Sequence, residues 1–92
     1  MTGTTISSEG LDARRRKILF RSWHRGMREM DLVLGSFADA EIANLTEAEL
    51  DHYERLLEIN DTDLLPWLTG EQPAPDDAML KRIMAFRDAV KF

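Results

Sequence analysis

Thr46-Glu47-Ala48-Glu49-Leu50-Asp51-His52-Tyr53-Glu54-Arg55-Leu56-Leu57 holds both the starting signal of a helix and its buried stripe. Thr46 with Glu49 three places on is a capping box. The Thr46 hydroxyl accepts from the Glu49 amide, and the Glu49 carboxylate reaches back to the Thr46 amide. Leu50, Tyr53, Leu56 and Leu57 then recur at three- and four-residue steps and share one face of an α-helix that stops near Asn60. No segment of the chain alternates convincingly with the two-residue period of a strand, so the fold is read outward from this helix as all-α.

Upstream, Met30, Val33, Leu34 and Phe37 form a second stripe of the same kind, with Gly35 inside it. That glycine weakens the helix slightly and lets a neighbour approach closely. Before it, Leu11 to about Arg25 reads as a helix. Ile18, Leu19 and Trp23 lie on one side, and Arg14-Arg15-Arg16-Lys17 cover the others. Downstream, Asp61 or Asp63 opens a short helix carrying Leu64, Leu65 and Leu68; Pro66 fits only a first turn, which selects Asp63 as the cap. Thr69-Gly70 ends it, Glu71 to Pro75 form a loop, and Asp76 or Asp77 opens the last helix. Leu80, Ile83, Met84 and Val90 supply the apolar face there. The expectation is a compact five-helix bundle over residues 11–92, a single domain, behind a disordered tail over residues 1–10.

Composition narrows the chemistry. The chain has 92 residues, 43% of them hydrophobic, and no cysteine, so packed apolar side chains must stabilise it and thiolate catalysis is excluded. His24 and His52 are too few for a Cys/His zinc site. No apolar run approaches the roughly 20 residues that span a bilayer. Residues 1–10 lack both the apolar core of a secretory signal and the repeated arginines of a transit peptide, which predicts the bacterial cytoplasm, or the mitochondrial matrix for a processed eukaryotic protein. Ser22 and His24, two apart on a helix, point away from each other and make no nucleophile–base pair. Gly26 stands alone, nine residues before Gly35, so there is no phosphate loop or dinucleotide fingerprint.

Charge is unevenly distributed: residues 1–28 carry +5, residues 29–77 carry −13, and residues 78–92 carry +3. Such polarity either steers a charged partner or marks solvated helix faces of uneven sign. The basic run from Arg14 to Arg28, with Trp23 available for stacking, supports an alternative reading as a small nucleic-acid-binding or regulatory bundle. The acidic middle and a pI near 4.9 oppose it.

Arg25-Gly26-Met27-Arg28-Glu29 reads R-G-x-x-E and admits two accounts. If the helix runs through, Arg25 and Glu29 form a weak surface ion pair worth about 0.2–0.5 kcal/mol, beside a glycine at a helix C′ position. In the other account Gly26 leaves a flat patch free of side chain on which a partner backbone can lie, with Arg25 and Glu29 making charge-assisted hydrogen bonds across the contact.

This segment is followed by Asp31, two places after Glu29. A capping box then leads into Tyr53-x-x-Leu56-Leu57-Glu58, and Asp63-Leu64-x-x-Trp67-Leu68 precedes Gly70. In that order, from Leu11 to Val90, the chain closely resembles the SdhE-type succinate dehydrogenase assembly factors. His24 stands where many members have arginine, and Pro66 falls at a variable position. The resemblance implies a five-helix, non-catalytic factor that binds the flavoprotein subunit of succinate dehydrogenase, and in some bacteria fumarate reductase. It implies that the factor promotes covalent attachment of that subunit's FAD to one of the subunit's own histidines. Arg25, Gly26, Arg28, Glu29 and Asp31 are then the partner-binding residues. No catalytic residue, metal or stably bound cofactor is expected on this chain, since FAD belongs to the partner. A monomer that neither binds nucleic acid nor inserts in a membrane is expected. A contrary reading, in which the chain itself binds FAD and transfers it, lacks a dinucleotide motif.

Overall fold

The computed structural model describes residues 10–90. The proposed tail lies outside these residues except for Gly10, as do the last two residues assigned to the domain. Five α-helices follow in order: α1 (Ala13–Trp23), α2 (Arg28–Glu41), α3 (Glu47–Leu57), α4 (Asp61–Thr69) and α5 (Ala78–Val90). A 3-10 turn, Ile42–Asn44, follows α2 directly. There is no strand among the described residues, and none of their helices is long and apolar enough to cross a membrane.

The apolar stripes meet in one core. Ile18 and Leu19 of α1, Met30, Val33, Leu34 and Phe37 of α2, Leu50, Tyr53, Leu56 and Leu57 of α3, Leu64 and Leu68 of α4, and Leu80 and Ile83 of α5 are all buried. The capping box forms at α3, with Glu49 N to Thr46 Oγ1 at 3.1 Å and Thr46 N to Glu49 Oε1 at 2.8 Å. Asp12 caps α1 by accepting from the Arg15 amide at 2.8 Å. A buried polar stitch ties three helices together. The Ser22 hydroxyl donates to the Ile18 carbonyl and lies 2.8 Å from the Tyr53 hydroxyl, which donates to the Leu34 carbonyl at 3.3 Å. Burial pushes the Tyr53 phenol well above its ordinary range, and it stays neutral.

Gly35 provides the close approach expected of it. A Cβ built there would lie 2.1 Å from Trp23 Cδ2, so the indole of α1 lies directly on the α2 backbone. The indole Nε1 donates to Asp39 at 3.3 Å.

Three boundaries differ from expectation. α1 ends at Trp23 rather than near Arg25, and α3 ends at Leu57, short of Asn60. α4 begins at Asp61 with Asn60 as its cap, not at Asp63. The Asn60 carbonyl accepts from the amides of Asp63 (3.0 Å) and Leu64 (2.9 Å), so the first turn is complete before Pro66. Pro66 therefore sits inside the helix. The carbonyl it leaves unpaired belongs to Thr62, an exposed residue whose peptide water can serve. In α5, Val90 is 47% exposed rather than part of the apolar face; Met79 is buried instead, and Phe86 packs edge-on against Phe37.

Asp77, not Asp76, caps α5 through the Leu80 amide at 2.8 Å, and its other oxygen lies 2.6 Å from His52 Nε2 on α3. Burial alone would raise the Asp77 carboxyl, but the Leu80 amide and His52 outweigh it and hold it below its ordinary value of 3.8. A carboxyl lowered in the folded state contributes stability that is complete above the unfolded value and disappears as pH falls through the folded one. The stability gap between the wild-type chain and Asp77→Asn should therefore narrow as pH falls from about 5 to about 3. Thermal unfolding midpoints of the two chains across that range check this, because Asn retains the capping acceptor and lacks only the titrating charge.

Candidate functional site

The four residues 24–27 join α1 to α2, and the first part of the R-G-x-x-E segment lies in that loop rather than on a helix. His24 is the C-cap of α1, and Gly26 stands two places beyond it, one later than the expected C′ position. Its φ of +96° lies in the left-handed half of backbone space, where a side chain is strained. A Cβ there would meet nothing within 4 Å. Only the backbone conformation requires glycine; the space outside it is open.

Two charged side chains, Arg25 of the motif and Asp31 just beyond it, hold the loop from inside. The Arg25 guanidinium, 12% exposed, turns into the corner between α3 and α4. Nη1 donates to the Leu57 carbonyl at 2.8 Å, Nη2 to the Ile59 carbonyl at 2.8 Å, and Nε and Nη2 to Asp61 Oδ1 at 2.9 and 2.7 Å. Helix C-terminal carbonyls lack intrahelical donors and carry the negative end of the helix dipole, so the α3 terminus is a natural seat for this cation. Asp31, one turn into α2, accepts from the Arg25 amide at 2.8 Å. Arg25 and Glu29 do not pair with each other, because the chain turns between them. The structure brings Arg25 together with Asp31 and Asp61, and separates Arg28 and Glu29 from all three.

Arg28 and Glu29 occupy the exposed first turn of α2 and engage no other side chain among the described residues. Both line a groove of about 540 Å³ whose floor is Leu32, Val33 and Leu68 and whose far wall is Arg87 and Asp88. On the other side of the loop, Phe20 is 62% exposed and stacks on His24 with ring centroids 4.0 Å apart.

Other charges are largely spent inside the fold. Arg14 of α1 pairs with Glu47, Asp51 and Glu54 of α3, and Arg21 pairs with Glu58. Arg15 donates to the carbonyls of Ile42 and Leu45, and Arg82 bridges Glu41 and Glu49. The basic first segment thus lies against the acidic middle, and opposite signs that are separate along the chain meet across α1 and α3. Ser22 and His24 are held apart, one buried against Tyr53 and the other exposed on Phe20. No cluster of three or more potential metal ligands occurs among the described residues.

Sequence reasoning did not find Asp61, the carbonyls of Leu57 and Ile59, or the groove residues Leu32, Thr69 and Arg87. No local signal links Arg25 to Asp61, which is 36 positions away.

These features define a small helical bundle that presents a braced loop beside an apolar groove. Residues 16–87 match the family model described as flavinator of succinate dehydrogenase, and the chain belongs to that family. It is 38% identical, over 86% of its length, to an FAD assembly factor SdhE of Acetobacter pasteurianus, 75% of which is covered. It is 43% identical over 68% of its length to a mitochondrial succinate dehydrogenase assembly factor 2 of Dictyostelium discoideum, and spans 45% of that protein. A protein of the same description from Caenorhabditis briggsae is 31% identical across the whole chain, with 75% of its own length covered.

Proposed function

We propose that this chain binds the flavoprotein subunit of succinate dehydrogenase and promotes covalent attachment of FAD to a histidine of that subunit. Fumarate reductase is a second candidate partner. The observation that carries the reading is the family match, which spans the loop, its braces and all of the groove lining except Asp88. The R-G-x-x-E residues and Asp31 divide by role. Arg25, Asp31 and Gly26 set the loop's shape, and Arg28 and Glu29 are presented to the partner. The chain supplies no reacting group. It holds the partner in the arrangement that brings histidine and flavin ring together, a proximity and orientation effect. FAD stays with the partner. The groove rim carries as many acids as bases, a poor seat for a dinucleotide's pyrophosphate and a suitable one for a protein surface. The bacterial cytoplasm, or the mitochondrial matrix in a eukaryote, is where such a partner is assembled.

In-gel flavin fluorescence tests this. The flavoprotein from the same organism, expressed with and without the chain and then denatured, should fluoresce strongly only when the chain is present. Equal bands in both lanes would overturn the proposal. Gly26→Arg should abolish the gain while costing the fold only about 1–2 kcal/mol, the backbone strain of a side chain in the left-handed region. Circular dichroism of the variant should remain that of a folded helical protein.

A further inference from the structure

The groove beside the motif has two walls that differ in a way that points to an occupant. The far wall is satisfied internally. Arg87 Nη1 donates to the Leu68 carbonyl at the end of α4, and Nη2 donates to Asp88 at 2.8 Å. The floor is equally fixed, with Leu68 2% and Val33 9% exposed and Leu32 half-buried. The near wall is Arg28 and Glu29, adjacent, oppositely charged and without side-chain partners among the described residues. A preformed apolar trough of about 540 Å³, bordered on one side by an unanswered cation and an unanswered anion, asks for an apolar side chain flanked by one acid and one base.

We infer that this groove receives a segment of the flavoprotein partner in which an apolar side chain sits on Leu32, Val33 and Leu68. An acidic neighbour of that side chain meets Arg28, and a basic one meets Glu29. The occupant is assigned to the partner because the near wall is part of the loop surface proposed above to contact it, so the inference rests on that reading. Preorganisation matters here. Because floor and far wall are fixed before binding, docking orders few side chains, and the loop and groove act as one continuous surface.

The test is affinity between the full chain and purified flavoprotein, with two variants that alter the groove without using the charged motif. Thr69→Trp, at an exposed groove-lining position, fills the trough, and Leu32→Ser strips apolar surface from its floor. With helicity confirmed by circular dichroism, each should weaken binding tenfold or more; Leu32→Ser decides the matter if Thr69→Trp fails to fold. Wild-type binding with both variants within twofold of it would overturn the groove assignment and leave the proposed function standing. Failure of the wild-type chain to bind would overturn both.

Discussion

Arg25→Ala is expected to destabilise the chain by about 2–3 kcal/mol, because it leaves Asp61 and the carbonyls of Leu57 and Ile59 without their donor. This lies just below the roughly 3–5 kcal/mol of a fully buried pair that loses one partner. Asp61 is 35% exposed, and water can take up part of what the guanidinium leaves. In a domain of this size that corresponds to a drop of roughly 10–20 °C in the thermal midpoint. Arg25→Lys should recover less than half, since an ammonium cannot address three acceptors in the plane of a guanidinium fork. Asp61→Ala should reproduce the loop defect with a smaller loss of stability, because the two carbonyls keep their donor. Thermal melts of the three variants check the order. A full-strength fold in Arg25→Ala would mean that this side chain serves the partner contact directly.

Gly35→Ala is the second large effect. The added methyl would stand 2.1, 2.4 and 2.5 Å from three ring carbons of Trp23, atoms at the centre of a rigid indole that has no flexible end to yield. Overpacking of this kind costs about 1–3 kcal/mol, while replacing glycine in a helix interior returns up to about 1 kcal/mol. A net loss near 2 kcal/mol is expected, with the damage at the α1–α2 contact on which the loop is hung. A double-mutant cycle isolates the cause. In a Trp23→Leu background the same substitution should become neutral or stabilising, because the clash is gone and the propensity gain remains. An unchanged penalty in that background would show that something other than the indole requires glycine.

These two sites mark where sequence reading succeeded and where it stopped. Helical stripes are local patterns, so Leu50, Tyr53, Leu56 and Leu57, and the Thr46–Glu49 box, were legible directly. Gly35 was legible as a close approach but not as a seat for Trp23, because periodicity names a face and not its neighbour. Pro66 points a sequence reading to Asp63 as the start of α4, whereas the exposure of Thr62 makes one missing hydrogen bond tolerable inside the helix. Val90 was assigned inward from its chemistry alone. The charge polarity said least about packing. Segment totals cannot reveal that α1 lies against α3 and that arginine and carboxylate cancel there. At the candidate site, the motif is visible as a sequence pattern, and the different settings of its charged residues are not. Arg25 and Glu29 look alike as charged residues flanking a glycine. Only the fold turns one toward the α3 terminus and the other outward.

This difference between Arg25 and Glu29 is tested by measuring two quantities on Glu29→Ala together: its thermal midpoint and its affinity for the flavoprotein. An unchanged midpoint and a clearly weakened complex are expected, since Glu29 has no side-chain partner among the described residues and is proposed to meet the flavoprotein. A lowered midpoint with undiminished affinity would contradict this.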